Sequence, residues 1–125
     1  MPHFTVDMWE EALDGQVELA LIRALTDSVV RVYGERARSL AVVGLRGVPR
    51  NRWGVGGVPA GDHRPVVTLS MREPALHMVD DAPSRLISSI TDAMAEVLGD
   101  GVREHLTVMI EGVPTGRSGV AGEAV

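Results

Sequence analysis

The second residue of the chain is a proline, and only Met1 before it keeps its nitrogen in an amide. Proline in second position permits removal of the initiator methionine, and removal leaves a secondary amine at the start of the polypeptide. An α-amino group titrates at roughly 7.7 to 8.0 in model peptides, and an apolar setting lowers that value by disfavouring the cation. The neutral amine then takes a proton from carbon or from an enol oxygen near neutral pH. If Met1 is retained, Pro2 stays an amide and this chemistry is closed. Pro2 stands directly before a strand-like run, so the sheet would hold its nitrogen at a fixed point rather than on a frayed end.

Other chemistries find little support. The chain has no cysteine, which excludes disulfides, thiol catalysis and cysteine-ligated metals. His3, His63, His77 and His105 share no metal-ligand spacing and read as turn or surface residues. The run Gly54-Val-Gly-Gly57 lacks the spacing and the lysine of a nucleotide-binding loop. No metal, nucleotide or other cofactor is expected. A net charge of -5, dispersed arginines and four aromatics (Phe4, Trp9, Tyr33, Trp53) give neither a phosphate-tracking surface nor a stacking platform. Nucleic acid is therefore not an expected partner. The longest apolar runs, 19–22 and 40–43, fall far short of the ~20 residues of a membrane span, and the first residues lack a leader pattern. A cytoplasmic protein without membrane association is expected.

The elements that must hold Pro2 come from a chain written twice. Pro2-His-Phe-Thr-Val-Asp-Met-Trp-Glu-Glu-Ala-Leu13 lies over Pro65-Val-Val-Thr-Leu-Ser-Met-Arg-Glu-Pro-Ala-Leu76, with Pro, Thr, Met, Glu, Ala and Leu identical. Further on, 25–34 lies over 90–99, Gly47-Val-Pro49 over Gly112-Val-Pro114, and Gly54–Gly57 over Gly119–Gly122. Each half reads strand, helix, strand and glycine-rich turn. A strand over about 3–8 puts Phe4, Val6 and Met8 on one face and His3, Thr5 and Asp7 on the other. A helix over about 15–33 is capped by Asp14, stopped by Gly34 and striped by Val17, Leu21, Leu25, Val29 and Val32. In the copy, Asp80 or Asp81 caps, Pro83 suits the first turn, and Leu86, Ile90, Ala93, Met94 and Val97 form the stripe before Gly99. Second strands are expected at 40–45 and 106–110, and short hairpins near Trp53 and Ser118.

Right-handed strand–helix–strand crossovers make each unit parallel. The expected fold is mixed α/β (α+β): duplicated β-α-β units forming a four-stranded sheet with two helices on one face. At 125 residues, 45% of them apolar, this is one domain over 1–125, with repeats at about 2–58 and 65–122 joined by 59–64. The bare face, softened by Thr5, Thr68 and Thr107, calls for cover from neighbouring subunits, so a homo-oligomer is expected.

Pro2 opening a strand, a β-α-β unit of about 60 residues and the run Asn51-Arg-Trp-Gly-Val-Gly-Gly57 together resemble the tautomerase superfamily typified by 4-oxalocrotonate tautomerase. The double-length form resembles the branch containing cis-3-chloroacrylic acid dehalogenase. The resemblance covers nearly the whole chain and is strongest over Gly56 to Arg72 and His105 to Gly122. It implies that Pro2 is the catalytic acid or base, that Arg72 holds a substrate carboxylate, that Trp53 forms an aromatic wall of the pocket, and that the fused subunits form a homotrimer. Arg52 and Arg117, at matching places in the two hairpins, would add positive charge from a neighbouring subunit, and Met109 would line the pocket. Arg72 also has a simpler reading as the surface partner of Glu73 or Glu10. Pro65 is an amide in mid-chain, which leaves one active site per chain.

Departures from the resembled patterns narrow the chemistry. Ala12 and Ala41 stand where short tautomerases carry arginines. Val29, Ala75, Met109 and Ala121 stand where the dehalogenase pattern has histidine, arginine, tyrosine and the water-activating glutamate, so dehalogenation is not expected. The expected function is a cofactor-independent tautomerase or isomerase of a small 2-oxo acid or its enol, with a small carboxylate as partner, Pro2 as general base and Arg72 as the carboxylate's cation. Two alternatives stay open: a decarboxylase or hydratase/lyase using the proline as acid or imine-forming amine, and a non-catalytic trimeric binding protein if Met1 is retained.

Overall fold

A computed structural model describes all residues 1–125. Strand β1 (His3–Trp9) alternates as the period-two pattern requires, burying Phe4, Val6 and Met8 completely. A short 3-10 turn, Glu10–Ala12, leads to Asp14, whose Oδ1 accepts the backbone N–H groups of Gln16 and Val17 at 2.9 Å each. With those amides satisfied, helix α1 (Val17–Tyr33) begins with the first residue of the apolar stripe, two residues later than the expected start at about 15. Gly34, at φ 94°, ends it. The chain then turns through the 3-10 segment Glu35–Leu40 before strand β2 (Val42–Val48), so β2 lies past the expected 40–45. Two interactions set this offset: Ala37 N–H donates to Gly34 C=O, and Val42 N–H docks on Pro2 C=O at 2.9 Å.

A hairpin of β3 (Gly54–Val55) and β4 (Val58–Pro59) follows, and then the pattern repeats. Strand β5 (Val66–Arg72), helix α2 (Ala82–Leu98), strand β6 (Thr107–Val113) and a hairpin of β7 (Gly119–Val120) and β8 (Glu123–Ala124) complete the chain. Strand β6 also starts later than 106, after the 3-10 segment Asp100–Glu104. Neither Asp80 nor Asp81 caps α2 through its side chain: Asp81 is held left-handed at φ 56°, and its C=O accepts Arg85 N–H instead.

The sheet order is β2-β1-β5-β6, with β1 parallel to β2, β5 parallel to β6, and β1 antiparallel to β5 at the centre, Thr5 opposite Thr68. This mixed α/β fold places both helices on one face. Leu21, Leu25 and Val29 of α1, with Leu86, Ile90 and Met94 of α2, are fully buried against Phe4, Val6, Met8, Val67 and Leu69. The helices are also joined by polar contacts, since Ser89 Oγ donates to Ser28 C=O (2.9 Å) and Arg31 Nε to Ser89 Oγ (3.1 Å). Across the sheet, Thr5, Thr68 and Met109 lie on a face that no helix covers, and Met109 is 44% exposed. No helix is long and apolar enough to cross a membrane.

The repeat extends to the polar contacts. Arg38 holds Asp27 (2.8 Å) and Glu35 (2.6 Å), and 65 residues later Arg103 holds Asp92 (2.8 Å) and Asp100 (2.7 Å). Each arginine ties the C-terminal half of a helix to the 3-10 segment behind it. All these groups are solvent-exposed, so their effect is on geometry more than on stability.

One histidine departs from its expected surface role. His63 is half-buried, stacks on Trp9 (ring centroids 5.1 Å apart, planes 10° apart), and accepts the Trp9 backbone N–H at Nε2 (3.0 Å). Arg50 lies 3.9 Å over the same indole and is clamped by Glu11 at 2.7 and 2.9 Å. Burial pushes the imidazole below its usual value; Glu11 opposes this shift and Arg50 adds to it.

Ile90→Ala, in the closed core, should cost about 2–5 kcal/mol. Ile87→Ala, on the same helix but 41% exposed, should cost well under half as much; equilibrium denaturation at fixed protein concentration compares them. The His63 value is lower folded than unfolded, so its contribution is present above the unfolded value of about 6.5 and is lost as pH falls through the folded one. His63→Phe should therefore lose less stability than the unsubstituted protein between pH 7.5 and 5.5, read as the change in denaturation midpoint.

Candidate active site

The pairing of the two central strands decides which side chains meet. Pro2 is buried at the start of β1, its carbonyl locked by Val42 N–H. Strand β5 runs antiparallel alongside, His3 opposite Ser70, so Arg72 two residues on reaches the Pro2 end of the sheet. On β6, Val113 lies opposite Arg72. From there the chain folds back through the β7–β8 hairpin, closed by Val125 N–H to Ser118 C=O (2.8 Å) and Gly116 N–H to Val125 C=O (2.9 Å). These elements enclose a cleft of about 260 Å³ whose walls include Met1, His3, Ser70, Arg72, Val113 and Ser118.

Arg72 makes no ion pair. Glu73 is engaged by His77 (2.9 Å), and neither Glu73 nor Glu10 reaches the guanidinium, so the surface-pair reading of Arg72 is not realised. Its Nε is buried without a hydrogen-bond partner, and so is Ser118 Oγ. The Met1 amino group shares this environment: burial first, and the Arg72 cation second, hold it below its usual value. The cleft thus combines a small volume, an uncommitted cation and a lowered amine, the conditions for binding a small anion beside a base. A larger groove of about 610 Å³ lies on the helices, but Asp14, Asp27 and Glu96 against Arg23 make it unsuited to an acid.

Pro2 and Arg72 therefore lie at the same end of the sheet, with Pro2 buried behind Met1 and not itself among the cleft walls, while the other expected residues lie apart within one chain. Trp53 follows β2, at the end where Trp9 lies opposite Val48; its C=O accepts Ala60 N–H (2.7 Å). Seven residues of β1 separate that end from Pro2, about 20 Å at ~3.3 Å per residue. Arg52 lies at the same far end. Arg117 is exposed beside Ser118 and is not among the cleft walls, and Met109 lies further along the open face, opposite Thr68. His3, Ser70, Val113 and Ser118 were not expected in the site. Strand alternation could have found Ser70, which shares the face of Arg72, whereas Ser118 depends on how the hairpin folds back.

Residues 2–63 match the model of the Tautomerase family, described as a tautomerase enzyme. No curated protein matches the chain in sequence. Among solved structures, native fused 4-OT is 25% identical with a TM-score of 0.84, over 98% of this chain and 94% of that one. The F6 fused 4-OT wild-type asymmetric trimer is 24% identical, with the same TM-score and the same coverage. N1, a member of the cis-3-chloroacrylic acid dehalogenase family, is 18% identical with a TM-score of 0.80, over 98% of this chain and 82% of that one. The family match spans the first β-α-β unit and its hairpin, and the fused structures span both units. The chain belongs to the tautomerase superfamily, in its double-length form.

Proposed function

We propose that the protein is a cofactor-independent tautomerase of a small 2-oxo acid or its enol, with Pro2 as general base after removal of Met1 and Arg72 as the carboxylate's partner. Arg72, without an ion pair and lining a small cleft whose wall includes Met1, the residue whose removal frees the Pro2 nitrogen, carries this reading. The neutral Pro2 nitrogen takes a proton from the enol oxygen or from the carbon next to the carbonyl. The electron pair left behind spreads over the conjugated system, and Arg72 offsets the negative charge. The protonated Pro2 nitrogen then returns its proton at the other end of that system, which closes the cycle with no net gain or loss.

The environment of the amine favours the base role over the acid role, because a lowered value keeps the nitrogen unprotonated. Burial and Arg72 already lower the Met1 amino group, and the Pro2 nitrogen belongs to a residue buried more deeply beside the same cation. Assembly as a homotrimer belongs to this reading. It is supported by the open sheet face and by the trimeric form of a fused 4-OT. Trp53, Arg117 and Met109 then act as substrate-binding residues across subunit contacts, a placement that the distance of Trp53 from its own cleft favours.

Intact mass spectrometry of native protein should give a mass lacking methionine; a full-length mass would favour the non-catalytic binding protein instead. Ketonisation of a small 2-hydroxyalk-2-enoate, followed by loss of its ultraviolet absorbance, should fall ~10²–10⁴-fold in Pro2→Ala. Unchanged turnover in that variant would overturn the base assignment. Because only the unprotonated amine accepts a proton, kcat/KM should rise with pH through a midpoint below about 8 and be lost as pH falls beneath it. Arg72→Gln removes the neighbouring cation and should move that midpoint upward.

A further inference from the structure

We propose that Ser118 selects the substrates of this cleft by the oxygen at C2, its hydroxyl pairing with the 2-oxo or 2-enol oxygen while Arg72 holds the adjacent carboxylate. The inference rests on the carboxylate reading of Arg72 given above. Only three buried side-chain polar atoms in the chain lack a hydrogen-bond partner: Trp9 Nε1, Arg72 Nε and Ser118 Oγ. Trp9 lies at the far end of the sheet, whereas Arg72 and Ser118 line one cleft. Leaving a buried polar group unpaired is costly, and buried polar groups are paired in most folds. Two such atoms in the walls of a single cleft point to an occupant that supplies both partners.

The chemistry of that occupant follows from the two groups. A guanidinium takes a carboxylate, and a neutral hydroxyl does not compete for it. The first atom beyond a carboxylate carbon is C2, so the oxygen presented next to Arg72 is the one on C2. A serine hydroxyl both donates and accepts. It donates to the oxygen in the keto form and accepts from it in the enol form, so one side chain follows the group through both tautomers. The hydroxyl also stands on a fixed backbone, because Ser118 C=O is tied to Val125 N–H within the closed hairpin. Met1 lines the same cleft, so its removal enlarges the space beside both residues. An acid without oxygen at C2 leaves Ser118 unpaired, and sites built to hydrogen-bond a substrate group discriminate strongly against analogues that lack it.

The test is a pair of amide chemical-shift titrations of the methionine-free protein, one with pyruvate and one with propionate, which differ only in the C2 oxygen. Pyruvate should bind more tightly than propionate. Ser118→Ala should weaken pyruvate about tenfold and leave propionate within about twofold, and Ser118→Thr, which keeps the hydroxyl, should restore most of the difference. Equal weakening of both acids, or an unmoved ratio, would overturn the role of Ser118. Arg72→Ala should abolish binding of both acids. Failure of pyruvate to bind the unsubstituted protein, or propionate binding that survives Arg72→Ala, would sink the carboxylate reading and the Ser118 proposal with it. Propionate binding that depends on Arg72, combined with a ratio indifferent to Ser118, would sink the Ser118 proposal alone.

Discussion

The antiparallel pairing of β1 with β5 is the constraint on which the site depends. Both strands are parallel to their outer neighbours, so the centre of the sheet is the one place where the halves run head to tail, and His3 lies opposite Ser70. A shift of one residue would move Arg72 to the helix face, where Met71 now lies buried. Register here is enforced by the core: Phe4, Val6 and Met8 must stay on the same side as Val67 and Leu69 to meet the helices. Apolar burial on one face thereby fixes the position of a charge on the other. The same face that receives Arg72 is the one left bare of helices, so cleft and open surface are continuous.

Much of this was legible in the residue pattern, because the forces involved are local or periodic. Alternation in 3–8 gave β1 and its buried face, the apolar stripes gave both helices, and Gly34 and Gly99 marked their ends through positive φ. Strand boundaries were less legible. The 3-10 segments Glu35–Leu40 and Asp100–Glu104 are tied to the preceding helices by Arg38 and Arg103, each with one partner eleven residues back, and no short-range signal marks such contacts. His63 was misread for a related reason, since its partner Trp9 is 54 residues away in the chain. Within the candidate site, Pro2 and Arg72 followed from position and resemblance. Ser118 did not, because its burial arises only when the hairpin packs back on the sheet.

The two halves have diverged unevenly. Their interior framework is nearly superimposable in kind, down to the paired triads of Arg38 and Arg103 and the docking of Val42 on Pro2 and Thr107 on Pro65. The ends have separated: Trp9 holds the place in the first half that Arg72 holds in the second. Around Trp9, the His63 ring and the Arg50–Glu11 pair fill the space with stacked planes. Folding demands act equally on both framework copies, whereas only the second half carries a cation, Arg72, at the strand position that Trp9 fills in the first.

That packed indole makes the asymmetry irreversible by simple rearrangement of the chain. A circular permutant opened between Arg64 and Pro65 would move the free imino group from Pro2 to the head of the other central strand, yet that ring would meet a tryptophan already stacked against His63 and Arg50. Division of labour between the halves is therefore written into their side chains as well as their connectivity, and neither half can exchange roles with the other by relocating the termini.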